Sequence, residues 1–251
     1  MKLGGIILKS DLAKAKQNIF MALCIISVVC AHTQISDNHI VLFYEVEQFL
    51  SNIGCIGVAG FFILSGYTFS ISKRNGADFW KRKTITLIVP WLFWSAFYGL
   101  LLFIKDGGKH ISLVNIVTGW AGSYYIYTLI ALYIIFKIIK NNRIRIGVGV
   151  LSVCMNLAYC AHIWEWNGNP YYSLFPWIYW FVLGFFYEKI LSILEKWEER
   201  RVYNILVIVA VCLTNILAMG KDVNYFSIYY IPYAIVNLMF LRCLSNKLFL
   251  S

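Results

Sequence analysis

Charge is scarce in this chain. Asp, Glu, Lys and Arg make up 14% of its 251 residues, and only 12 residues are acidic. Ordinary soluble domains carry about 25% charged residues, so a soluble globular protein is excluded. The apolar stretches are long and continuous, without the ~10-residue alternation of a transmembrane barrel. No CxxC and no mixed Cys/His ligand spacing occurs among the seven cysteines. Six of them (Cys24, Cys30, Cys55, Cys154, Cys160, Cys212) lie in apolar stretches and Cys243 closes the last one. Thiols in such places behave as small buried hydrophobes, which argues against a metal site or a disulfide framework. The chain also lacks a nucleic-acid motif, a solenoid-length repeat and a low-complexity tract. Proline is sparse, and Pro90, Pro176 and Pro232 do not fall at corresponding places in two halves, unlike the paired broken helices of many transporters.

What is abundant is apolar surface. Hydrophobic residues make up 60% of the chain, and mean hydropathy is +0.69. The class this implies is an all-α, polytopic membrane protein. Apolar runs predict about eight spans, near 16–35, 49–72, 84–104, 119–138, 146–163, 172–190, 203–219 and 225–243. Short connections make 1–251 a single membrane domain. Lys2, Lys9, Lys14 and Lys16 precede the first span, and five basic residues (Lys73, Arg74, Lys81, Arg82, Lys83) separate the second from the third. Four more (Lys137, Lys140, Arg143, Arg145) separate the fourth from the fifth. Lys189, Lys196, Arg200 and Arg201 separate the sixth from the seventh, and Arg242 and Lys247 end the chain. The alternate loops hold only Lys105, Lys109 and Lys221. Such a bias puts the basic loops and both termini on the cytoplasmic side of the cell membrane. The net charge of +10 is thus an orientation signal rather than a nucleic-acid footprint. The basic start and thirteen-residue apolar run also resemble a signal peptide. Cys30-Ala31-His32-Thr33 is a poor cleavage site, however, and a retained first span is expected.

This topology puts His32, His39, His110 and His162 at or near the outer face. The run 19–31 is too short to span a ~30 Å core without its flanks. His32 would then lie about 10 Å from the midpoint of the segment, inside the membrane near the outer face. An ionisable group there is costly and by default a functional candidate; a histidine hydrated at the interface or bonded to a neighbouring span is the plainer reading. The first outer loop, about 36–48, carries Asp37, Glu45 and Glu47. Glu45 and Glu47 are candidates to orient His32 or to act as partner acids, and His162 is a candidate contact for a substrate. His162, with Glu165 three residues on, also reads as an interfacial loop feature. The 188–202 stretch reads as an amphipathic continuation of the sixth span, lying at the interface. Gly54, Gly57, Gly60 and Gly66 give the second span a small-residue face suited to close helix packing. Ser65 has no base beside it and is not a nucleophile candidate. The cluster Lys81-Arg82-Lys83 suits an anchor at anionic headgroups, or a site for the phosphates of a cytosolic cofactor.

The order of these features resembles acyltransferase family 3, integral-membrane enzymes that O-acetylate surface polysaccharides, lipopolysaccharide and related glycans. The resemblance rests on His32 in the first span and on Phe61-Phe62-x-x-Ser65-Gly66-Tyr67. It continues through Lys81-Arg82-Lys83 with the Leu87-x-x-Pro90-Trp91 run, and through the aromatic segment 123–130. It ends with Phe175-Pro176-Trp177 and Leu183-Gly184-Phe185. It implies an acyl-CoA donor arriving from the cytoplasm and a hydroxyl acceptor on a surface or lipid-linked glycan. It also implies His32 as catalytic group, either general base or nucleophile, with no metal. Lys81, Arg82 and Lys83 would meet the donor phosphates, which would leave ~25 Å to cross towards His32. Relatives often have about ten spans, so the resemblance implies a domain shortened at its C-terminal end. A transporter, or a non-catalytic member of the family, are the alternative readings. The sequence carries no signal for oligomeric state.

Overall fold

The computed structural model describes residues 17–29, 41–72, 76–107, 124–165, 167, 170, 173–198, 201–218, 226 and 229–250. Among these residues there is no strand. The helices are α1 (Gln17–Val29), α2 (Val41–Ile71) and α3 (Gly76–Lys83), which passes through a π-helical turn (Thr84–Ile88) into α4 (Val89–Asp106). There follow α5 (Tyr124–Ile138), α6 (Asn142–Cys160), α7 (Ile178–Phe185), α8 (Tyr187–Glu198), α9 (Arg201–Ala218) and α10 (Tyr230–Leu250). Among the described residues, three stretches are long and apolar enough to cross a membrane, namely Gly54–Ile71, Gly76–Lys105 and Asn142–Cys160. Four shorter apolar helices accompany them: Gln17–Val29, Tyr125–Ile138, Val202–Ala218 and Tyr230–Leu244. The all-α membrane bundle expected from composition is what the chain forms.

Two boundaries differ from the sequence expectation. Helix α2 starts at Val41, so Glu45 and Glu47 lie on a helix rather than in a loop. In the sequence Leu42, Val46, Phe49 and Leu50 recur at helical spacing, a pattern that a hydropathy window centred on the lipid core does not register. At ~1.5 Å per residue, its 31 residues make a rod of about 46 Å, longer than a ~30 Å hydrocarbon core. The sixth apolar segment, expected to be helical from 172 to 190, instead enters through turns over 173–177. The backbone N–H of Ser173 donates to Pro170 O at 3.0 Å, and that of Trp177 to Leu174 O at 3.0 Å. Pro176 lacks an N–H and disfavours helix in the residue before it, so α7 begins only at Ile178. A turn at Phe186 then separates α7 from the amphipathic α8.

The core forms where α2 and α7 cross. A Cβ on Gly66 would collide with the Phe181 carbonyl oxygen, and one on Gly184 with that of Ile63. The two backbones therefore touch directly, as small residues permit in lipid, where van der Waals packing replaces the hydrophobic drive. On either side of the crossing Phe62 stacks on Trp177 (centroids 5.2 Å) and Phe69 meets Phe181 (5.9 Å). Trp177, Trp180 and Phe181 are fully buried. The other end of the glycine face receives α1: Gly57 and Gly60 lie against Cys24, with Ser27 near Gly57. The small-residue packing expected of the second span thus serves two partners.

Polar ties fix the remaining helices. Ser152 of α6, itself buried, donates to the Phe175 carbonyl and accepts from the Tyr179 N–H at 3.2 Å. Tyr179 is in the first turn of α7, where backbone N–H groups have no partner within their own helix. Ser152 thus caps a neighbouring helix and satisfies two backbone groups that lipid would not. Tyr230 donates to Cys55 O at 3.1 Å, holding α10 on α2. Tyr233 donates to Asn215 (2.8 Å), and Asn215 to Asn237 (3.2 Å), joining α9 to α10.

Candidate functional site

Helical spacing splits the basic trio of α3. Phe79 and Lys83 are four residues apart and share one face, and that face turns inward. Phe79 is buried. Lys83 Nζ donates to the phenolic oxygen of Tyr133 on α5 at 2.8 Å. The same ammonium lies 4.4 Å from the Tyr133 ring centroid and 5.7 Å from that of Phe79, a cation–π arrangement that keeps a charge tolerable beside an aromatic core. Asp78, Lys81, Arg82, Ile85 and Thr86 face the other way and line an open groove of about 370 Å³. Lys81 and Arg82 are exposed.

The groove borders an irregularity with a clear cause. Pro90 cannot donate a helical hydrogen bond, and its ring crowds the carbonyl four residues earlier, that of Thr86. The helix widens into a π turn over Thr84–Ile88, with Val89 N–H bonded to Thr84 O. The Thr86 hydroxyl donates to Arg82 O at 2.8 Å.

Behind α3 lies an aromatic cluster drawn from four helices. Phe69 contacts Phe79 (5.6 Å) and Tyr133 (5.7 Å), and Phe136 contacts Phe181 (4.9 Å). Further cations converge on its margin. Lys137 Nζ is 5.0 Å from the Phe79 centroid and 5.9 Å from that of Trp80. The Arg145 guanidinium lies over Phe185 at 4.3 Å and donates to the carbonyl of Phe136 at 2.9 Å. That carbonyl belongs to the last turn of α5, so Arg145 acts as a cap from the next helix. Arg242 of α10 donates to the Tyr187 hydroxyl, and Tyr187 meets Tyr67 edge-on at 5.4 Å. Ser65 shares a 3.4 Å hydrogen bond with Tyr125.

The segments that carried the family resemblance therefore have distinct physical tasks. Gly66 and Gly184 make the α2–α7 crossing, Tyr67 buttresses Tyr187, and Pro90 sets the π turn. Lys81 and Arg82 line the groove, whereas Lys83 turns inward to Tyr133. His32 lies outside the described residues, as do the side chains of Glu45 and Glu47. His162 follows the last turn of α6, exposed and with φ of 55°. Its N–H donates to Tyr159 O at 3.0 Å. A left-handed residue just past a helix end is a common termination, and histidine is among the residues enriched there. The geometry of His162 is thus accounted for by helix ending. Beside it Trp164, Tyr159, Phe175 and Phe226 form a second aromatic cluster, with Trp164–Phe175 at 5.2 Å and Tyr159–Phe226 at 5.4 Å. Tyr159 of this cluster stands about 21 Å from Arg145 along α6.

Sequence reasoning passed over Lys137, Tyr133 and Phe79. Lys137 entered only as one of many charges setting orientation. The signal available was its place in the last turn of an apolar helix, where the side chain can reach either headgroups or a neighbouring helix end. Among the described residues no group of three or more His, Cys, Asp or Glu could hold a metal ion.

Compared with known proteins, residues 19–250 match the model of an acyltransferase domain family, acyltransferase family 3. No curated protein and no solved structure matches the chain.

Proposed function

The chain belongs to acyltransferase family 3, and from that premise we propose that it moves an acetyl or other short acyl group from cytoplasmic acyl-CoA to a hydroxyl of a surface or lipid-linked glycan in the cell membrane. The family match over nearly the whole chain carries this reading. The basic margin of the aromatic cluster supports it, because phosphates are held by Lys and Arg donors. Lys81, Arg82 and Lys83 are assigned to the donor phosphates. His32 is the catalytic residue, and Glu45, Glu47 and His162 are assigned to the acceptor side.

In the general-base form, His32 takes the proton of the acceptor hydroxyl as its oxygen bonds to the thioester carbonyl carbon. The C–S bond then breaks, and the proton passes to the departing thiolate. The products are an O-acyl ester and free CoA. In the nucleophilic form the imidazole carries the acyl group between the two steps. Both forms require the imidazole, whose ordinary pKa near 6.5 suits proton exchange at neutral pH.

The test is mass spectrometry of the cell's surface glycans with the wild-type gene, without it, and with His32→Ala expressed at equal membrane level. The expected result is an acyl mass increment that disappears in both the deletion and the mutant. Full acylation by the mutant would remove His32 from catalysis, and an unchanged glycan profile in the deletion strain would remove the glycan acceptor.

A further inference from the structure

We propose that Lys83 and Lys137, on opposite helices and facing one buried phenylalanine ring, form a two-cation site for a soluble anion bearing a diphosphate or two phosphate monoesters. The two ammoniums lie 5.7 and 5.0 Å from the same Phe79 centroid, so their separation cannot exceed the sum of those distances. They come from α3 and α5, and neither helix brings two such groups together alone. Trp80, edge-on to Phe79 at 5.4 Å, lies 5.9 Å from Lys137 Nζ and is only partly buried. A flat aromatic surface thus stands next to the cation pair.

The local charge balance favours an anion. Among the described residues, the basic segments around this corner hold Lys81, Arg82, Lys83, Lys137, Lys140, Arg143 and Arg145, with Asp78 as their one acid. Asp78 lines the groove with Lys81 and Arg82, on the other face of α3. The pair is also held for its task. Tyr133 fixes Lys83 by a 2.8 Å bond, and the Phe79 and Trp80 rings flank Lys137. A pre-positioned cation loses less side-chain freedom on binding than a surface lysine does. A nucleotide fits this combination, with its phosphates on the ammoniums and its base towards Trp80. An anionic lipid headgroup offers the same phosphate chemistry without the base. The identification of the soluble anion as acyl-CoA rests on the functional reading above; the cation pair itself does not.

The test uses the full chain in phosphatidylcholine nanodiscs, titrated calorimetrically with inorganic pyrophosphate and, separately, with CoA. Lys137→Gln is expected to weaken both about tenfold, the scale of one charge-assisted hydrogen bond. Lys137→Arg should stay within about threefold of wild type, and Arg143→Gln, the same charge loss at an exposed neighbouring position, within about twofold. The arginine variant distinguishes loss of the anion contact from damage to packing around Phe79. No pyrophosphate binding by the wild type, or equal binding by Lys137→Gln, overturns the site. Lys137-dependent binding of pyrophosphate without any binding of CoA keeps the site and overturns the acyl-CoA reading instead. Loss of pyrophosphate binding when phosphatidylglycerol replaces phosphatidylcholine assigns the site to a headgroup and overturns the soluble ligand.

Discussion

Replacing Gly66 by alanine adds one methyl group, and the structure gives it nowhere to go. The new carbon would collide with the Phe181 carbonyl oxygen and would stand 2.9 Å from Phe185 N and 3.0 Å from Phe181 C. These are backbone atoms of α7, which cannot rotate away as a side chain could. Bringing the contact with Phe185 N to an ordinary 3.4 Å requires α2 and α7 to part by about 0.5 Å, and relief of the carbonyl collision requires more. A gap of 0.5–1 Å forfeits a quarter to a half of each dispersion well it opens. The crossing carries the Phe62–Trp177 stack and the Phe69–Phe181 contact, so the loss spreads along both helices. Overpacking of this kind costs about 1–3 kcal/mol. Gly147 supplies the control. It is exposed on α6 with nothing within 4 Å of an added Cβ, and alanine there gains up to about 1 kcal/mol of helix propensity. Purified protein in a single detergent, unfolded by heat or by a denaturing surfactant, should show Gly66→Ala below wild type and Gly147→Ala at or above it. Gly184→Ala should resemble Gly66→Ala, and the double variant should cost less than the two together, because one separation relieves both clashes. If Gly66→Ala unfolds with or after wild type, the backbone contact between α2 and α7 is wrong.

Two further substitutions test the Ser152 cap and the groove-side cations. Ser152→Ala leaves the Phe175 carbonyl and the Tyr179 N–H without their shared partner and should cost about 1–3 kcal/mol, read in the same unfolding assay; an unchanged midpoint would mean that other groups satisfy the first turn of α7. The double variant Lys81→Gln, Arg82→Gln should weaken CoA binding most at low salt, with the difference from wild type narrowing towards 1 M, where the Debye length falls to about 3 Å. Binding that is insensitive to both substitution and salt would take the groove-side pair out of the donor site.

Much of the fold was legible in the sequence because the relevant physics acts residue by residue along the chain. A stretch such as 84–104 must be helical if it lies in lipid, since no other open structure satisfies its backbone there. The glycines of the second span announced close packing, and the structure puts α1 on Gly57 and Gly60 and α7 on Gly66. The start of α2 was missed because hydropathy measures burial in lipid, whereas the helix follows apolar spacing beyond it, carrying Glu45 and Glu47. The entry to α7 was missed because Pro176 lies inside an otherwise continuous apolar run, and its local cost is not seen by an average. At the candidate site the basic cluster of α3 was visible as composition. Its division into a groove face and an inward face follows from helical spacing together with a neighbouring core, and only the first of these is in the sequence.

The sequence by itself determined an all-α membrane class, a basic bias of one set of loops, and the motif order that places the chain in its acyltransferase family. Each depends on the identity and order of residues, and neighbours in space do not alter them. The tertiary structure alone decided that Gly66 meets the Phe181 backbone and Gly184 that of Ile63, that Ser152 caps a helix to which it does not belong, and that Lys137 shares the Phe79 ring with Lys83. These pairings join segments distant along the chain. They depend on which apolar faces fit at contact distance, and in lipid, where all such faces are about equally greasy, shape and hydrogen bonding select the partner.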